Sequence, residues 1–453
     1  MLTPQGRLFG TNGVRFIPGV TGDIAFTLKL AESIGTYFKE GEILVGRDGR
    51  LTGQMLASAV TAGLMSSGRN VAESDMVPTP ALQFATKALG YRGSVMITAS
   101  HNPPQYNGIK IMAHDGVEIS RLDEQKVEKI FHDGTVERAN WKDVGTARQE
   151  PSVIRTYLNG ILSKVNTKLI SERRIKVVVD PGNGAQSLAA PYLLEALGCK
   201  VITINSIVDG SFPGRGSEPT PENLRDMVVA VGASNADFGV AYDGDGDRSI
   251  FCDENGSLYW GDQTGSLIAD YLLERNPMST VVTTIASSQI IELVAKRRGG
   301  KVIRTRVGSV DVSRTIMERK AVMGFEENGG CFFPAHLPTR DGGMTTAMLL
   351  EVLAARSAPL SKLISSAFPR FFQTKTKVQV DPTKVREIMR KIEKQGDGRV
   401  EKVDGVKVWV DEKTWALIRP SGTEPIVRIF VESETKEKAD STAKKFVKAV
   451  KAA

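Results

Sequence analysis

Apolar and polar positions along the chain repeat one pattern three times: an apolar strand, a polar turn, an apolar-periodic helix ended by glycine, and a second apolar strand. Glycine directly after such a helix supplies the left-handed residue that ends it. Strands alternating with helices predict largely parallel sheets covered by helices. The repeats run over 43–71, 177–204 and 281–303. The sequence therefore predicts three related α/β domains.

The hydrophobic pattern changes after Pro369. Short alternating strands and two helices replace the longer α/β repeat, which predicts a separate small α+β domain. Strands are predicted at 376–380, 406–409 and 416–418, and helices at 383–395 and 436–451. The last helix is rich in lysine, and a solvated basic face over a small apolar core explains it better than a nucleic-acid patch does.

Two segments mark domain boundaries. The charged stretch 136–151 lacks an apolar strand and predicts a linker, and Asp253–Gly256 predicts a turn near a second boundary. A chain of 453 residues is also too long for one hydrophobic core. The predicted domains are 1–149, 150–253, 254–369 and 370–453.

Composition and charge narrow the class of protein. No apolar run approaches the roughly twenty residues that span a bilayer, and the first residues lack the apolar segment of a secretory signal, so we expect no membrane partner. Cys199, Cys252 and Cys331 lie far apart without metal-ligand spacing, which predicts a reducing, cytoplasmic location. The net charge of +7 favours anionic partners. Because the basic residues are scattered among few aromatics, a small phosphorylated substrate is favoured over nucleic acid.

The segment Thr98–Pro103 sets a hydroxyl beside an imidazole among small, turn-forming residues. Residues 93–98 predict a buried strand that delivers Ser100 to a strand end. A serine hydroxyl is a poor nucleophile and needs a base, which His101 or Lys110 could supply. Ser-His neighbours also occur by chance, so a surface turn is the alternative interpretation.

Asp243, Asp245 and Asp247 are separated only by glycines. Carboxylates this close repel each other, and a divalent cation removes that cost. Glycine lets the backbone curl so that all three converge, and hard oxygen ligands select magnesium or calcium. An exposed acidic turn is one alternative. An EF-hand loop is another, but Arg248 stands where that loop needs glycine.

A metal ion at these aspartates would complement the serine. If Ser100 carries a phosphoryl group, the ion can bridge to it and neutralise charge as the group departs. Arg248 could hold the same phosphate. The serine motif, this aspartate segment and the polar turn at 419–425 together predict phosphoryl transfer.

A second polar turn, 419–425, follows the apolar residues 415–418. Its backbone N–H groups and hydroxyls predict an anion nest, and arginine adds forked donors suited to phosphate. A plain turn between strands is the alternative. The proposed donors to a non-transferring phosphate are Arg419, Ser421, Gly422, Thr423 and Arg428.

Two further turns are less specific. In Glu326–Gly330, carboxylate and amide groups could bind vicinal sugar hydroxyls, although a solvated turn is favoured for this segment alone. Asp180–Ser187 follows a strand in the manner of a nucleotide-binding turn, but no acidic residue closes the second strand, so a tight strand-to-helix turn is favoured.

The order and spacing of five motifs resemble the α-D-phosphohexomutases over essentially the whole chain. The motifs are 8–15, 98–110, 243–248, 324–330 and 419–425. The resemblance implies three related α/β domains with helix-sandwiched mixed sheets, followed by a C-terminal α+β domain of the TATA-binding-protein-like type. All four would surround one central cleft.

The resemblance also implies a role for each motif. Ser100 would be phosphorylated in the resting enzyme, and the Mg²⁺ ligands would be Ser100, Asp243, Asp245 and Asp247. The groups expected around the transferring phosphate are Arg15, His101, Lys110 and Arg248. The sugar hydroxyls would be bound by Glu326 and Asn328. The distant phosphate would be bound by Arg419, Ser421, Gly422, Thr423 and Arg428.

Members of the resembled family convert a sugar 1-phosphate into its 6-phosphate through a phosphoserine and a 1,6-bisphosphate. The chain is thus expected to be a phosphohexomutase, a monomer or homodimer acting on small sugar phosphates, with glucosamine phosphate slightly preferred and the hexose 1,6-bisphosphate as activator. A phosphomannomutase/phosphoglucomutase of broad specificity is the first alternative. A serine-dependent phosphomonoesterase and a non-catalytic sugar-phosphate-binding protein are the others.

Three positions depart from the pattern of the resembled family. Asn12 replaces an aspartate, Asn328 stands where many members have serine, and Gly330 where many have histidine. The missing imidazole leaves one acid/base role unassigned. His336 is the candidate replacement on proximity in sequence.

Overall fold

Four β-sheets follow one another along the computed structural model, which describes residues 7–10, 12–394, 399–421 and 425–452. The first sheet has the strand order β1-β5-β4-β2-β3-β6. Its region comprises β1 Val14–Phe16, α1 Ile24–Phe38, β2 Ile43–Arg47, α2 Gly53–Ser66, β3 Val71–Met76, α3 Thr79–Ala88, β4 Gly93–Ile97, β5 Asn107–Ala113, α4 Arg121–Asp133 and β6 Ala147–Gln149. Strand β4 is buried throughout, as its apolar sequence predicts.

The second sheet has the strand order β11-β10-β9-β7-β8. Its region comprises α5 Val153–Leu162, α6 Thr167–Glu172, β7 Lys176–Asp180, α7 Ala190–Ala196, β8 Lys200–Thr203, α8 Arg225–Ser234, β9 Phe238–Tyr242, β10 Ser249–Asp253 and β11 Leu258–Tyr259. A short 3₁₀ helix, Ala185–Leu188, precedes α7. The predicted turn after β10 is confirmed, because the Gly256 amide donates to the Asp253 carbonyl at 3.0 Å.

The third sheet has the strand order β13-β12-β14-β15-β16. Its region comprises α9 Gly261–Arg275, β12 Thr280–Thr284, α10 Ile290–Arg298, β13 Lys301–Thr305, α11 Ser309–Arg319, β14 Met323–Phe325, β15 Cys331–Phe333, β16 Leu337–Arg340, α12 Gly342–Arg356 and α13 Leu360–Ala367.

The first three sheets share one topology. Each contains a central strand (β2, β7 or β12) with a parallel strand on either side, and one of these neighbours (β4, β9 or β14) pairs with an antiparallel strand. The first sheet adds the edge strands β1 and β6 to this arrangement. The prediction of three related α/β domains with mixed sheets is confirmed. The loops β4–β5, β9–β10 and β14–β15 are therefore equivalent, and they contain the serine, aspartate and glutamate motifs.

The fourth sheet is wholly antiparallel, with the strand order β17-β21-β20-β19-β18. Its elements are β17 Phe372–Gln379, a 3₁₀ turn at Pro382–Lys384, α14 Val385–Lys394, β18 Val400–Glu401, β19 Val406–Asp411, β20 Thr414–Pro420, β21 Ile426–Ser433 and α15 Lys436–Lys451. Ile392 of α14 and Phe446 of α15 belong to one buried cluster with Val427 of β21, so both helices pack on the sheet. The predicted α+β class of this domain is confirmed.

A continuous apolar core joins the first three sheets. Leu82 and Met96 of the first region, Val177 of the second and Leu349 of the third belong to one cluster of buried side chains. Burial of apolar surface on this scale stabilises the positions of the three sheets relative to each other. The fourth sheet has its own core and contacts the third region through a small cluster that includes Ile285 and Trp415.

The stretch 136–151, which we predicted to be a linker, contributes strand β6. Ala147–Gln149 pairs in parallel with β3 at the sheet edge, and its side chains are exposed. An exposed edge strand needs no apolar residues, so the hydrophobic pattern could not reveal it. The four domain boundaries stay a prediction.

Within the described part of the chain, no helix combines the length and apolar character needed to cross a membrane. Cys199, Cys252 and Cys331 are free thiols.

Candidate active site

Ser100 lies at the end of β4, in a buried loop with a left-handed backbone (φ 51°). Its Oγ donates a hydrogen bond to Asp243 Oδ2 at 2.7 Å and lies 3.4 Å from His101 Nδ1. Its amide donates to Thr98 Oγ1 at 2.9 Å. A non-glycine residue keeps this conformation only where its surroundings determine it, which is typical of functional sites.

Arg50, which the sequence analysis missed, holds the serine loop from beneath. Its guanidinium is fully buried and pairs with Asp48 at 3.1 Å. It also donates to four main-chain carbonyls at 2.7–2.8 Å, those of Ser100, Asn102, Pro103 and Tyr106. The only signal in the sequence is a run of charged residues directly after an apolar strand.

Asp243, Asp245 and Asp247 are buried in the β9–β10 loop, with one oxygen of each within 4.8 Å of the others. Within the described residues, Asp245 Oδ1 and Asp247 Oδ1 are buried without a hydrogen-bond partner. Burial and the other two carboxylates raise the pKa of Asp243 to about 7. Three converging carboxylates, two of which have an unpaired oxygen, fit a hard divalent cation such as Mg²⁺ or Ca²⁺.

The two glycines of this loop are required by space. A Cβ on Gly244 would lie 2.6 Å from the Ser100 carbonyl oxygen. Gly246 has a φ of 76°, and a Cβ there would lie 2.3 Å from Gln186 Cγ. The alternation of aspartate and glycine therefore serves both the convergence of the carboxylates and the close approach of the serine loop.

Cationic side chains surround the aspartates. Lys110 Nζ donates to Asp245 Oδ2 at 2.7 Å and to Asp247 Oδ2 at 3.3 Å. Arg248 Nε lies 3.9 Å from Asp243 Oδ2 and 3.8 Å from Asp247 Oδ1. Burial raises the pKa of Asp245, but Lys110 outweighs it and holds that pKa below its usual value. Lys110 and Arg248 therefore offset part of the negative charge of the three aspartates.

Arg15 and His101 complete the group near the serine. Arg15 hydrogen bonds to the Asn102 side chain, and burial together with Arg248 lowers its pKa to about 10. Burial and the neighbouring arginines hold the pKa of His101 well below its usual value, so the imidazole is neutral at pH 7. The structure brings the residues predicted around the phosphate together, while their roles stay a prediction.

Glu326 lies in the β14–β15 loop and is joined to the aspartates by Arg340, which the sequence analysis also missed. Arg340 donates to Glu326 Oε2 at 3.3 Å and to Asp247 Oδ2 at 2.6 Å. Burial raises the pKa of Glu326, and Arg340 opposes this shift. Asn328 Oδ1 accepts from the Gly330 amide at 3.2 Å, which holds the turn closed. The predicted sugar loop thus lies beside the aspartates.

His336 does not join this site. Its imidazole is buried and stacks on Phe84, with ring centroids 4.2 Å apart and planes inclined by 7°. Its Nε2 lies 3.4 Å from Asp341 Oδ2. The proposal that His336 replaces the missing loop histidine was based on sequence proximity, and these contacts give it no support.

The last motif lies on the fourth sheet. Arg419 on β20 is opposite Arg428 on β21, which is opposite Lys377 on β17, so three cations form a row across the sheet. Arg419 Nε donates to Asp404 Oδ2 at 2.6 Å. The Ser421 amide donates to the Ile426 carbonyl at 2.9 Å. The predicted donors Gly422 and Thr423 lie outside the described residues.

One segment of the third domain connects the first and fourth domains. The Val307 amide donates to Asp404 Oδ2 at 3.1 Å, the same oxygen that binds Arg419. Two residues further on, Ser309 Oγ accepts from Asn12 Nδ2 at 3.1 Å. The last motif and the first motif therefore approach the same segment.

This fold and site define an isomerase of the phosphohexomutase type, and comparisons with known proteins agree. Family models of phosphoglucomutase/phosphomannomutase match residues 6–138 (alpha/beta/alpha domain I), 155–256 (domain II), 260–371 (domain III) and 375–449 (C-terminal domain). The chain belongs to this family, the α-D-phosphohexomutases.

Similar proteins cover nearly the whole chain. A phosphoglucomutase/phosphomannomutase of Thermococcus kodakarensis is 44% identical over 443 residues, which cover 96% of each chain. A phosphoglucosamine/phosphogalactosamine mutase of Sulfurisphaera tokodaii is 41% identical over 98% of this chain and 99% of its own. A crystal structure of a phosphoglucomutase/phosphomannomutase family protein from Burkholderia thailandensis has a TM-score of 0.88 and 28% identity, covering 98% of this chain and 97% of its own.

Proposed function

We propose that the chain interconverts hexose 1-phosphates and 6-phosphates through a phosphorylated Ser100, a hexose 1,6-bisphosphate and bound Mg²⁺. The proposal rests on the 2.7 Å hydrogen bond between Ser100 Oγ and Asp243 Oδ2. This bond holds Ser100 Oγ at the edge of the cluster of three aspartates. A phosphoryl group on that oxygen would face the same space.

The ligands of the ion would be the three aspartates and an oxygen of phosphorylated Ser100. The two unpaired buried oxygens, on Asp245 and Asp247, support this assignment. When bound, Mg²⁺ supplies positive charge that stabilises the transferring phosphoryl group. Lys110 pairs with both Asp245 and Asp247, and its charge lowers the pKa of Asp245, which favours the ionised carboxylate that binds the ion.

The transfer breaks the bond between Ser100 Oγ and phosphorus and forms a bond from phosphorus to a sugar hydroxyl oxygen. The sugar hydroxyl loses a proton and Ser100 Oγ gains one. We assign these proton transfers to His101, whose neutral imidazole lies 3.4 Å from Ser100 Oγ, and to Lys110. Arg15 and Arg248 would bind the phosphate oxygens.

The remaining motifs would hold the rest of the substrate. Glu326 and Asn328 would bind sugar hydroxyls, and the turn that contains Ser421, Gly422 and Thr423 would bind the second phosphate with Arg419 and Arg428. A second phosphate site supports a mutase over a phosphomonoesterase, because hydrolysis needs only one. Glucosamine phosphate is our preferred substrate, and a relative that acts on glucosamine phosphate supports it. The relative with a phosphoglucomutase/phosphomannomutase activity supports glucose and mannose phosphates as the alternative.

The test is to incubate the purified protein with Mg²⁺ and the 1-phosphate of glucosamine, glucose or mannose, plus a trace of the matching 1,6-bisphosphate. Phosphorus NMR then measures the 6-phosphate and free phosphate together. We expect 6-phosphate, formed fastest from glucosamine 1-phosphate. Free phosphate forming faster than 6-phosphate would favour the phosphomonoesterase, and no turnover of any sugar would refute the mutase.

A matched pair of serine variants tests the nucleophile. Ser100→Ala should lower kcat by at least about a thousandfold, since loss of a nucleophile has effects of this size or larger. Ser365→Ala, at an exposed position of α13, should leave kcat unchanged. Intact-mass measurement should detect one phosphate on the wild type and on Ser365→Ala, and none on Ser100→Ala. Phosphate retained on Ser100→Ala would contradict the assignment.

A further inference from the structure

Gly330, at the end of the sugar loop, is packed against Arg340. A Cβ on Gly330 would lie 2.4 Å from Arg340 Cδ and 2.8 Å from Arg340 Cγ. The φ of Gly330 is outside the left-handed region, so its backbone conformation does not require glycine. Position 330 must be glycine because the Arg340 side chain occupies the space that a side chain at position 330 would need.

The Arg340 guanidinium lies between two loops of the site. It is 5% exposed and donates to Asp247 Oδ2 at 2.6 Å and to Glu326 Oε2 at 3.3 Å. Among the described residues, its Nε has no hydrogen-bond partner although it is buried. A buried N–H without an acceptor destabilises the protein unless a ligand supplies the acceptor.

We propose that Arg340 binds an oxygen of the sugar phosphate through this spare N–H, in the place that a side chain at position 330 would otherwise occupy. Arg340 also positions Glu326 and Asp247, because its planar fork spans carboxylates on two different loops. The inference rests on the proposed function, since it takes the ligand to be a hexose phosphate.

The chemistry of arginine determines what Arg340 contributes. A guanidinium keeps its proton at neutral pH, so Arg340 acts as a fixed donor and not as an acid or base. The proton transfers proposed above therefore stay with His101 and Lys110. Many family members have a titratable histidine at position 330. This chain has glycine there, and Arg340 at the end of β16 contributes a permanent positive charge instead.

Variants at position 340 test the charge and the fork separately. Arg340→Met should lower kcat/KM by about a hundredfold or more, the effect of removing one preorganised donor. Arg340→Lys should recover only part of the activity, because a single ammonium cannot span both carboxylates. Arg319→Met, at the exposed end of α11 (58% side-chain exposure), is the matched control and should match the wild type.

Variants at position 330 test the competition for space. Gly330→His should lose activity because its side chain displaces Arg340. Arg340→Gly clears this space. The double variant Gly330→His/Arg340→Gly should therefore lose much less activity than the product of the losses in the two single variants. Wild-type activity in Gly330→His would overturn the inference, as would strictly multiplicative effects in the double variant.

Ligand binding separates this inference from the proposed function. Calorimetry with glucosamine 6-phosphate on protein treated with EDTA measures binding without turnover or metal. Arg340→Met should weaken binding at least about tenfold relative to Arg319→Met. If the wild type binds but does not turn over, the mutase proposal fails while this comparison still decides the role of Arg340. If Arg340→Met folds and then binds and turns over the ligand as the wild type does, the proposed role of Arg340 is wrong. If Arg340→Met does not fold, the variants Arg340→Lys and Gly330→His test that role instead.

Discussion

Gly244 and Ser100 are in direct contact: a Cβ built on Gly244 would lie 2.6 Å from the Ser100 carbonyl oxygen. The two residues belong to equivalent loops of different domains, β9–β10 and β4–β5. Their contact allows Asp243 to accept the hydrogen bond from Ser100 Oγ at 2.7 Å. The distance between the aspartates and Ser100 therefore depends on the absence of a side chain at position 244.

The first prediction is that Gly244→Ala moves the serine loop away from the aspartates. Because a displacement of about 1 Å can cost about a hundredfold in rate, we expect kcat to fall by that order. The control is Gly232→Ala in α8, where a Cβ meets no atom within 4 Å. It should keep full activity and stabilise the protein by about 0.5–1 kcal/mol. Steady-state kinetics and thermal melting distinguish the two, and full activity of Gly244→Ala would show that the contact is not needed.

The second prediction concerns the arginine beneath the serine loop. Arg50→Met removes the donors to four carbonyls and leaves Asp48 buried without its partner, so we expect a loss of about 3–5 kcal/mol in stability. Limited proteolysis should then cleave within 98–106. Arg47→Met is the control, since Arg47 pairs with an Asp75 that is 58% exposed, and it should cost at most about 1 kcal/mol. Equal effects of the two variants would contradict the proposed support of the loop.

The third prediction is a pH dependence at the contact between the third and fourth domains. Gln373 Nε2 donates to Asp262 Oδ2 at 2.7 Å and to Glu432 Oε2 at 3.1 Å. Burial, then the Glu432 charge, raises the pKa of Asp262 from 3.8 to about 7. The folded state thus binds more protons than the unfolded state between these values, so stability falls as pH rises through that window.

Asp262→Asn removes this dependence. Relative to the wild type, the variant should gain stability on the order of a few kcal/mol as pH rises from about 4 to about 7.5. Thermal melting over that range measures the difference. Asp381→Asn is the control: a hydrogen bond from Thr383 lowers the pKa of Asp381, so this variant should show no such gain. A difference between wild type and Asp262→Asn that does not change with pH would refute the assignment.

The fourth prediction concerns metal removal. EDTA should abolish turnover and leave the protein folded, because the apolar core that joins the first three sheets does not involve the aspartates. Added Mg²⁺ should raise the melting temperature, with a gain of about 2.7 kcal/mol at one hundred times its dissociation constant. Asp245→Asn should remove this gain, and Asp226→Asn, exposed on α8, should keep it. A Mg²⁺ effect of equal size in Asp245→Asn would place the ion elsewhere.

Much of the fold could be predicted because local patterns specify it. The apolar runs at 43–45, 177–179 and 281–282 became the central strands β2, β7 and β12. Strand β6 could not be predicted, because its three exposed residues show no apolar alternation. Strand β21 was not predicted as a separate element, although the motif before it was recognised.

The sequence by itself determined the groups that are close along the chain: Ser100 with His101, the three aspartates with their glycines, and the glutamate turn. Their chemistry depends on residue types at short spacing, which a linear pattern displays. Tertiary structure alone decided that Arg50 supports the serine loop, that Arg340 joins Asp247 to Glu326, and that His336 lies apart from the site. In these contacts, buried polar side chains pair across separate strands and domains. They are stabilised by tertiary packing, which residue spacing along the chain does not show.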